Sequence, residues 1–102
     1  MKDIRKVLNL LSLAQRSGRL VSGEFQTEKA VKDRRAALVI IASDASDNTK
    51  KKFQDMCRYY RVKAVVLSGK EELGQRIGRT ERSSLAVTDD GFANAILKEY
   101  EA

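Results

Sequence analysis

Apolar residues recur at helical spacing at the start of the chain: Ile4, Val7, Leu8, Leu11 and Ala14 fall on one face. This predicts a first helix over about Asp3 to Arg16. Ser17-Gly18 stops it, the glycine supplying a left-handed turn. Leu20-Val21 reads as a short strand, and Ser22-Gly23 opens a second helix over about Glu24–Asp33 with Ala30 and Val31 inward. Residues 36–42 (Ala-Ala-Leu-Val-Ile-Ile-Ala) are apolar on both alternating faces, as in a strand covered on both sides. A polar loop, Ser43 to Asn48, leads to a third helix ending near Tyr60, with Phe53, Met56, Cys57 and Tyr60 on its inward stripe. Ala64 to Leu67 is another buried strand. Ser68-Gly69-Lys70-Glu71 fits a capping box for a short helix that Gly78 ends. Arg79 to Arg82 is a charged loop, and Leu85 to Val87 is the last strand. Asp89 or Asp90 caps a final helix with Phe92, Ile96, Leu97 and Tyr100 inward.

Helices therefore alternate with short apolar strands. The expected class is α/β: a three-layer α-β-α sandwich with a small mixed four-stranded sheet. The chain has no proline and six glycines, which argues against an all-β fold. The glycines are expected at element boundaries. At 102 residues, without linker, repeat or low-complexity tract, the sequence suits a single domain over 1–102.

Composition removes several chemistries. No histidine means no imidazole triad and no imidazole metal ligand. A lone cysteine, Cys57, cannot form a disulfide within the chain, and it fits a reducing cytosol. On an apolar stripe it reads as a buried, inert thiol rather than a nucleophile. The run 36–42 is far too short to span a membrane, and Met1 to Lys6 lacks the apolar core of a leader. The chain is thus expected to be cytoplasmic, with no membrane partner. Its formal charge of +6 points to a polyanion.

Asp44 and Asp89-Asp90 follow predicted strands, where ligands of open α/β sheets bind. They would be candidates for a magnesium-dependent phosphoryl site, with Asp44 and Asp89 as ligands. The favoured reading is that each caps the helix that follows it. No cofactor and no catalysis are expected. Gly69-Lys70 lacks the rest of a phosphate loop, and Gly74 to Gly78 lacks a dinucleotide context. Of Tyr59-Tyr60, only Tyr59 is free to point outward as a stacking surface.

Basic residues gather at Arg16 and Arg19, Lys29 and Lys32, Lys50 to Lys52, and Arg76, Arg79 and Arg82. Lys50 to Lys52 reads equally well as a solvated helix face. In Ser22 to Lys29, Gly23 permits close backbone approach, and the helix start offers free N–H groups to a phosphate. Gln26 and Lys29 share a face one turn in, an amide and an ammonium suited to base edges. The same segment also describes a plain capped helix with solvated polar residues.

Gly23-x-x-Gln26-x-x-Lys29 resembles the Gly-x-Asn-Glu-x-x-Lys signature of the kink-turn RNA-binding ribosomal-protein superfamily, of the large-subunit seven-A-e and thirty-e type. Residues 37–42 followed by Asp44 are similar to its next block. Ser68 to Gly74, then Ile77-Gly78, is similar to its Ser-Lys-x-x-Leu-Gly-x-x-x-Gly block. The resemblance spans about residues 3–100, in order, and is closest to the bacterial YlxQ-type branch. It implies the sandwich argued above and a non-catalytic binder of structured RNA, rRNA or another kinked RNA. Ribosome association and a monomeric chain are further expectations, which the sequence itself does not fix. Carried over, Gly23, Gln26, Thr27, Lys29 and Lys32 would meet the RNA from the second helix, with Gln26 and Lys29 on guanine edges. Arg79, Thr80 and Arg82 would come from the loop that covers a flipped-out nucleotide. Phe25 stands where many members have Asn, Gln26 where they have Glu, and the covering loop is charged rather than apolar. The competing reading is a protein-binding adaptor of the ribosome or of RNA decay, without strong RNA affinity.

Overall fold

The computed structural model describes residues 3–102. Met1 and Lys2, the start of the segment that lacks a leader's apolar core, lie outside the described residues. The elements are α1 (Ile4–Arg16), β1 (Leu20–Ser22), α2 (Glu24–Lys32), β2 (Leu38–Ile41), α3 (Asp47–Tyr60), β3 (Lys63–Val66), α4 (Lys70–Arg76), β4 (Ser84–Val87) and α5 (Asp90–Glu101). The order of helices and strands follows the apolar periodicity throughout.

The strands form one mixed sheet in the order β1-β4-β2-β3. β4 runs antiparallel to both β1 and β2, and β2 runs parallel to β3. α1, α4 and α5 pack together on one face, while α2 and α3 cover the other. All four residues of β2 are buried, as its continuous apolar run requires. On α1, Val7, Leu8, Leu11 and Ala14 are buried, and each large aliphatic contributes about 1.5–3 kcal/mol by leaving water.

Two turn expectations need correction. Ser68 and Glu71 form no capping box. Both Ser43 N–H and Ser43 Oγ donate to the Ser68 carbonyl at 2.7 Å, and Ser68 takes a left-handed backbone (φ +57°). Its hydroxyl instead donates to Glu72, also at 2.7 Å. Asp44 supplies the missing cap from across the fold, its Oδ1 accepting from Lys70 N–H at 2.9 Å. Asp44 therefore caps α4 rather than the helix that follows it, and Ser46 caps α3. Asp89 caps α5 as expected, accepting from Phe92 N–H at 2.8 Å.

Nor do all glycines mark boundaries. Gly74 is buried inside α4, where a Cβ would lie 1.8 Å from the Thr80 carbonyl oxygen. Only a glycine lets the 79–82 loop fold back so closely. Arg79 N–H donates to the Gly74 carbonyl at 2.8 Å and closes that return.

Candidate nucleic-acid interface

The site begins at Gly23, between β1 and α2. Its φ of +94° and ψ of 159° belong to a region that side chains rarely enter. This backbone turns the chain from the sheet directly into a helix with no side-chain cap on its first turn. α1, α3 and α5 are capped by Asp3, Ser46 and Asp89, and α4 by the distant Asp44. Among the described residues, α2 alone begins with no N–H group of its first turn claimed by a side chain. An uncapped start concentrates partial positive charge and free donors.

The 79–82 loop is fastened beside that start. Arg82 Nε donates to Ser22 Oγ at 3.1 Å, and Arg82 Nη1 donates to Thr80 Oγ1 at 3.1 Å and to the Glu81 carbonyl at 2.9 Å. Arg82 N–H reaches the Lys70 carbonyl at 2.9 Å. Arg82 thus ties β1, the loop and α4 together and leaves a cationic edge next to Gly23. A depression of about 360 Å³ lies between them, lined by Ser22, Gly23, Arg82 and Ser84 together with Glu24 and Glu81. Ser84 is buried, and its hydroxyl has no partner.

The sequence-predicted residues fall into three groups. Gln26, Lys29, Lys32, Arg79 and Thr80 are exposed, and Gly23 and Arg82 are half-buried at the junction. Gln26 and Lys29 are not walled off. Lys29 is held by Asp33 at 3.1 Å, and Lys32 by Glu28 at 2.6 Å. Thr27 is the exception. It is fully buried beneath α2 and its Oγ1 has no partner, so its side chain cannot touch a ligand from where it sits. The reason is periodicity: 27, 30 and 31 lie on one helical face, and Ala30 and Val31 are core.

Phe25, at the second position of α2, is 72% exposed. Tyr59 points outward, while Tyr60 packs against the core beneath Arg34, whose guanidinium carbon lies 5.3 Å from the ring centre.

Lys52 also reaches Glu28, at 2.7 Å. Hydrogen bonds from Lys32 and then Lys52 hold the Glu28 carboxyl down at about 2. Cys57 is buried, and that burial pushes its thiol up to about 11, far from a reactive thiolate.

The carboxylates considered for a metal do not meet. β2 and β4 are antiparallel, so Asp44 and Asp89 emerge at opposite ends of the sheet. Each is occupied by a backbone N–H. Among the described residues, no three His, Cys, Asp or Glu side chains cluster as metal ligands, and no helix is long and apolar enough to cross a membrane.

Relatives share this framework. The chain is 44% identical over 88 residues to a Bacillus subtilis (strain 168) protein named RNA-binding protein YlxQ, covering 86% of this chain and 88% of that one. An Enterococcus faecium protein of the same name is 40% identical over 89 residues, covering 87% and 85%. A solved structure of a protein of unknown function from Bacillus halodurans C superimposes with a TM-score of 0.91 at 39% identity, covering 95% of this chain and 98% of that chain. The Giardia lamblia 15.5kD RNA binding protein shares the fold at a TM-score of 0.79 and 23% identity, covering 93% and 82%. The model of one family matches residues 5–97. The chain belongs to the Ribosomal protein L7Ae/L30e/S12e/Gadd45 family.

Proposed function

We propose that this chain is a non-catalytic RNA-binding protein that recognises a kinked internal loop, with sheared G·A pairs, in structured RNA such as rRNA. The observation that carries the reading is the junction at Gly23. An uncapped helix start, with Gln26 and Lys29 exposed one turn in, stands beside a loop that Arg82 fastens to Ser22. The names of the curated relatives and the family membership support RNA as the partner class. Ordinary A-form RNA has a major groove too narrow for a helix end, so the target must be distorted.

In this reading the first turn of α2 enters the widened groove. Gln26 and Lys29 address base edges, Gln26 both donating and accepting. Gly23 lets phosphate approach the backbone, and Lys32, Arg79, Thr80 and Arg82 bind from the flanks. Lys29 exchanges Asp33 for the RNA on binding. Phe25 offers a ring where a hydrogen-bonding side chain would otherwise stand. Its exposure, like that of Tyr59 and Leu13, also favours the protein-adaptor reading.

A salt-controlled titration on a kinked internal loop, against the same RNA with Watson–Crick pairs in place of G·A, tests the proposal. With about five phosphates neutralised, log affinity falls against log salt with a slope of roughly −3.5 to −4.5. Equal affinity for the two RNAs overturns kink recognition, and a slope near zero overturns the electrostatic contribution. Lys29→Ala weakens binding to the kinked RNA by about 1–3 kcal/mol if Lys29 reads a base edge. Equal weakening on both RNAs makes it a phosphate contact.

A further inference from the structure

The cations of this protein are not equally available. On α2 and α3, Lys29, Lys32, Lys51, Lys52 and Arg58 each have a carboxylate oxygen within 4 Å. Among the described residues, Lys50 on α3 has none; across the sheet Arg5 pairs with Asp3, but the other arginines do not pair. Arg16 on α1, Arg76 on α4, and Arg79 and Arg82 in the loop have no carboxylate partner among the described residues. Arg35 pairs with Asp33 at 3.8 Å, and Arg19 and Arg34, also without a carboxylate within 4 Å among the described residues, share a separate cleft with Asp89 and Asp90.

The unpaired arginines are arranged by the fold. Arg76 Nη1 donates to Asn9 Oδ1 at 2.8 Å, and Ser12 Oγ donates to the Arg76 carbonyl at 2.7 Å. These two bonds lock the end of α4 against the middle of α1. Asn9 is a neutral acceptor, so it aims the guanidinium without cancelling its charge. Arg16 lies one helical turn beyond Ser12 on the same side of α1. From Arg76 the chain turns at Gly78 into Arg79, and the loop delivers Arg82 to the Gly23 junction. A cationic track therefore leaves the proposed site and continues onto the α1–α4 face.

We infer that the α1–α4 face is a second RNA contact, in which Arg16 and Arg76 bind the phosphate backbone of the stem flanking the kinked element. The inference rests on the RNA-binding reading above and extends its footprint. Charge complementarity and continuity with the Gly23 junction select this occupant. An arginine aimed by a neutral amide and left without a carboxylate has both donors and charge for a phosphodiester. Lys51 and Lys52 of α3 are engaged by neighbouring acids, and Lys29 and Lys32 of α2 must release theirs before they meet RNA.

The test is a salt titration of the full chain on two kinked RNAs. One has a flanking stem long enough to run the 25 Å breadth of the molecule; the other ends at the internal loop. Replacing both arginines, Arg16→Gln with Arg76→Gln, makes the slope less steep by about 1.4–1.8 on the long RNA only, roughly 25- to 60-fold in affinity between 1 M and 0.1 M salt. Arg16→Lys with Arg76→Lys restores the slope, because a point charge suffices for a phosphate; this pair also separates charge loss from local misfolding. An unchanged slope for the glutamine pair on the long RNA overturns the inference and leaves the junction intact. Equal flattening on both RNAs overturns it too, by making the arginines a diffuse field rather than a stem contact. Absence of wild-type binding to either RNA overturns the RNA-binding reading itself. Binding of an acidic protein that depends on these arginines, with RNA slopes unaltered, assigns the face to a protein partner and overturns the inference.

Discussion

The two helical layers carry similar numbers of basic residues, but acid pairing takes in most of those on α2 and α3 and, in the other layer and its loop, only Arg5 among the described arginines. In the α2–α3 layer, lysines sit four residues from carboxylates: Lys29–Asp33, Lys32–Glu28 and Lys51–Asp55. Such pairs steady an exposed helix by a few tenths of a kcal/mol each and cancel much of the outward field. In the α1–α4 layer and its loop, Arg76 and Arg82 are held by neutral oxygens: Asn9 for Arg76, and Ser22 and Thr80 for Arg82. Their charge is positioned rather than neutralised. A basic composition is therefore a poor guide to where a polyanion binds. Cations whose geometry is fixed without an acid are free for a polyanion at once, whereas Lys29 and Lys32 must first give up Asp33 and Glu28.

Charge reversal is the strongest way to break this comparison. Arg79→Glu with Arg82→Glu is expected to weaken RNA binding by more than about 100-fold at moderate salt, because it removes two contacts and adds two repulsions. Lys51→Glu with Arg58→Glu, on the paired layer, is expected to change it by less than about 3-fold. Reversed magnitudes in the same titration would place the interface on α3. Next in size is Gly74→Ala. The added methyl meets the Thr80 carbonyl, and the chain loses about 1–3 kcal/mol of stability, seen as a lower thermal midpoint. A wild-type midpoint would mean that the loop is not pinned to α4.

The smallest effect belongs to the paired layer. Glu28 is held down at about 2 by Lys32 and Lys52, well below its ordinary 4.5. Its folded carboxyl is the more acidic one, so its stabilisation is complete above about pH 4.5 and fades as pH falls toward 2. The size is under about 1 kcal/mol, since the lysines are exposed. Glu28→Gln should flatten that part of the acid-unfolding profile. An unaltered profile would show that the lysine cluster does not stabilise the ionised carboxylate.

Much of the scaffold is legible along the chain, because burial imposes a period on each element. The apolar stripe of α1 and the continuous run of β2 are local signals, and both strands and helices follow from them. The Gly23 turn and the exposed Gln26–Lys29 face are also local, resting on one glycine and one helical repeat. Thr27 was legible too: its spacing from Ala30 and Val31 marks it as inward, although its polar side chain argues the other way. What the sequence hides is long-range. Asp44 caps a helix 26 residues on, and nothing beside it announces that. Gly74 owes its identity to the Thr80 carbonyl, and Asn9 to Arg76. The opposed placement of Asp44 and Asp89 depends on strand direction, which alternation alone does not encode.

Cys57 has a consequence for watching this molecule breathe. Its sulfur is sealed against the sheet and kept protonated at any ordinary pH. Cys57 lines a shallow depression with Gln54, Arg58 and Val62, so a thiol-trapping reagent reaches the buried sulfur when that wall loosens, and the labelling rate counts those openings. The chain thereby carries an internal clock for its own transient unfolding, with no probe to be engineered in.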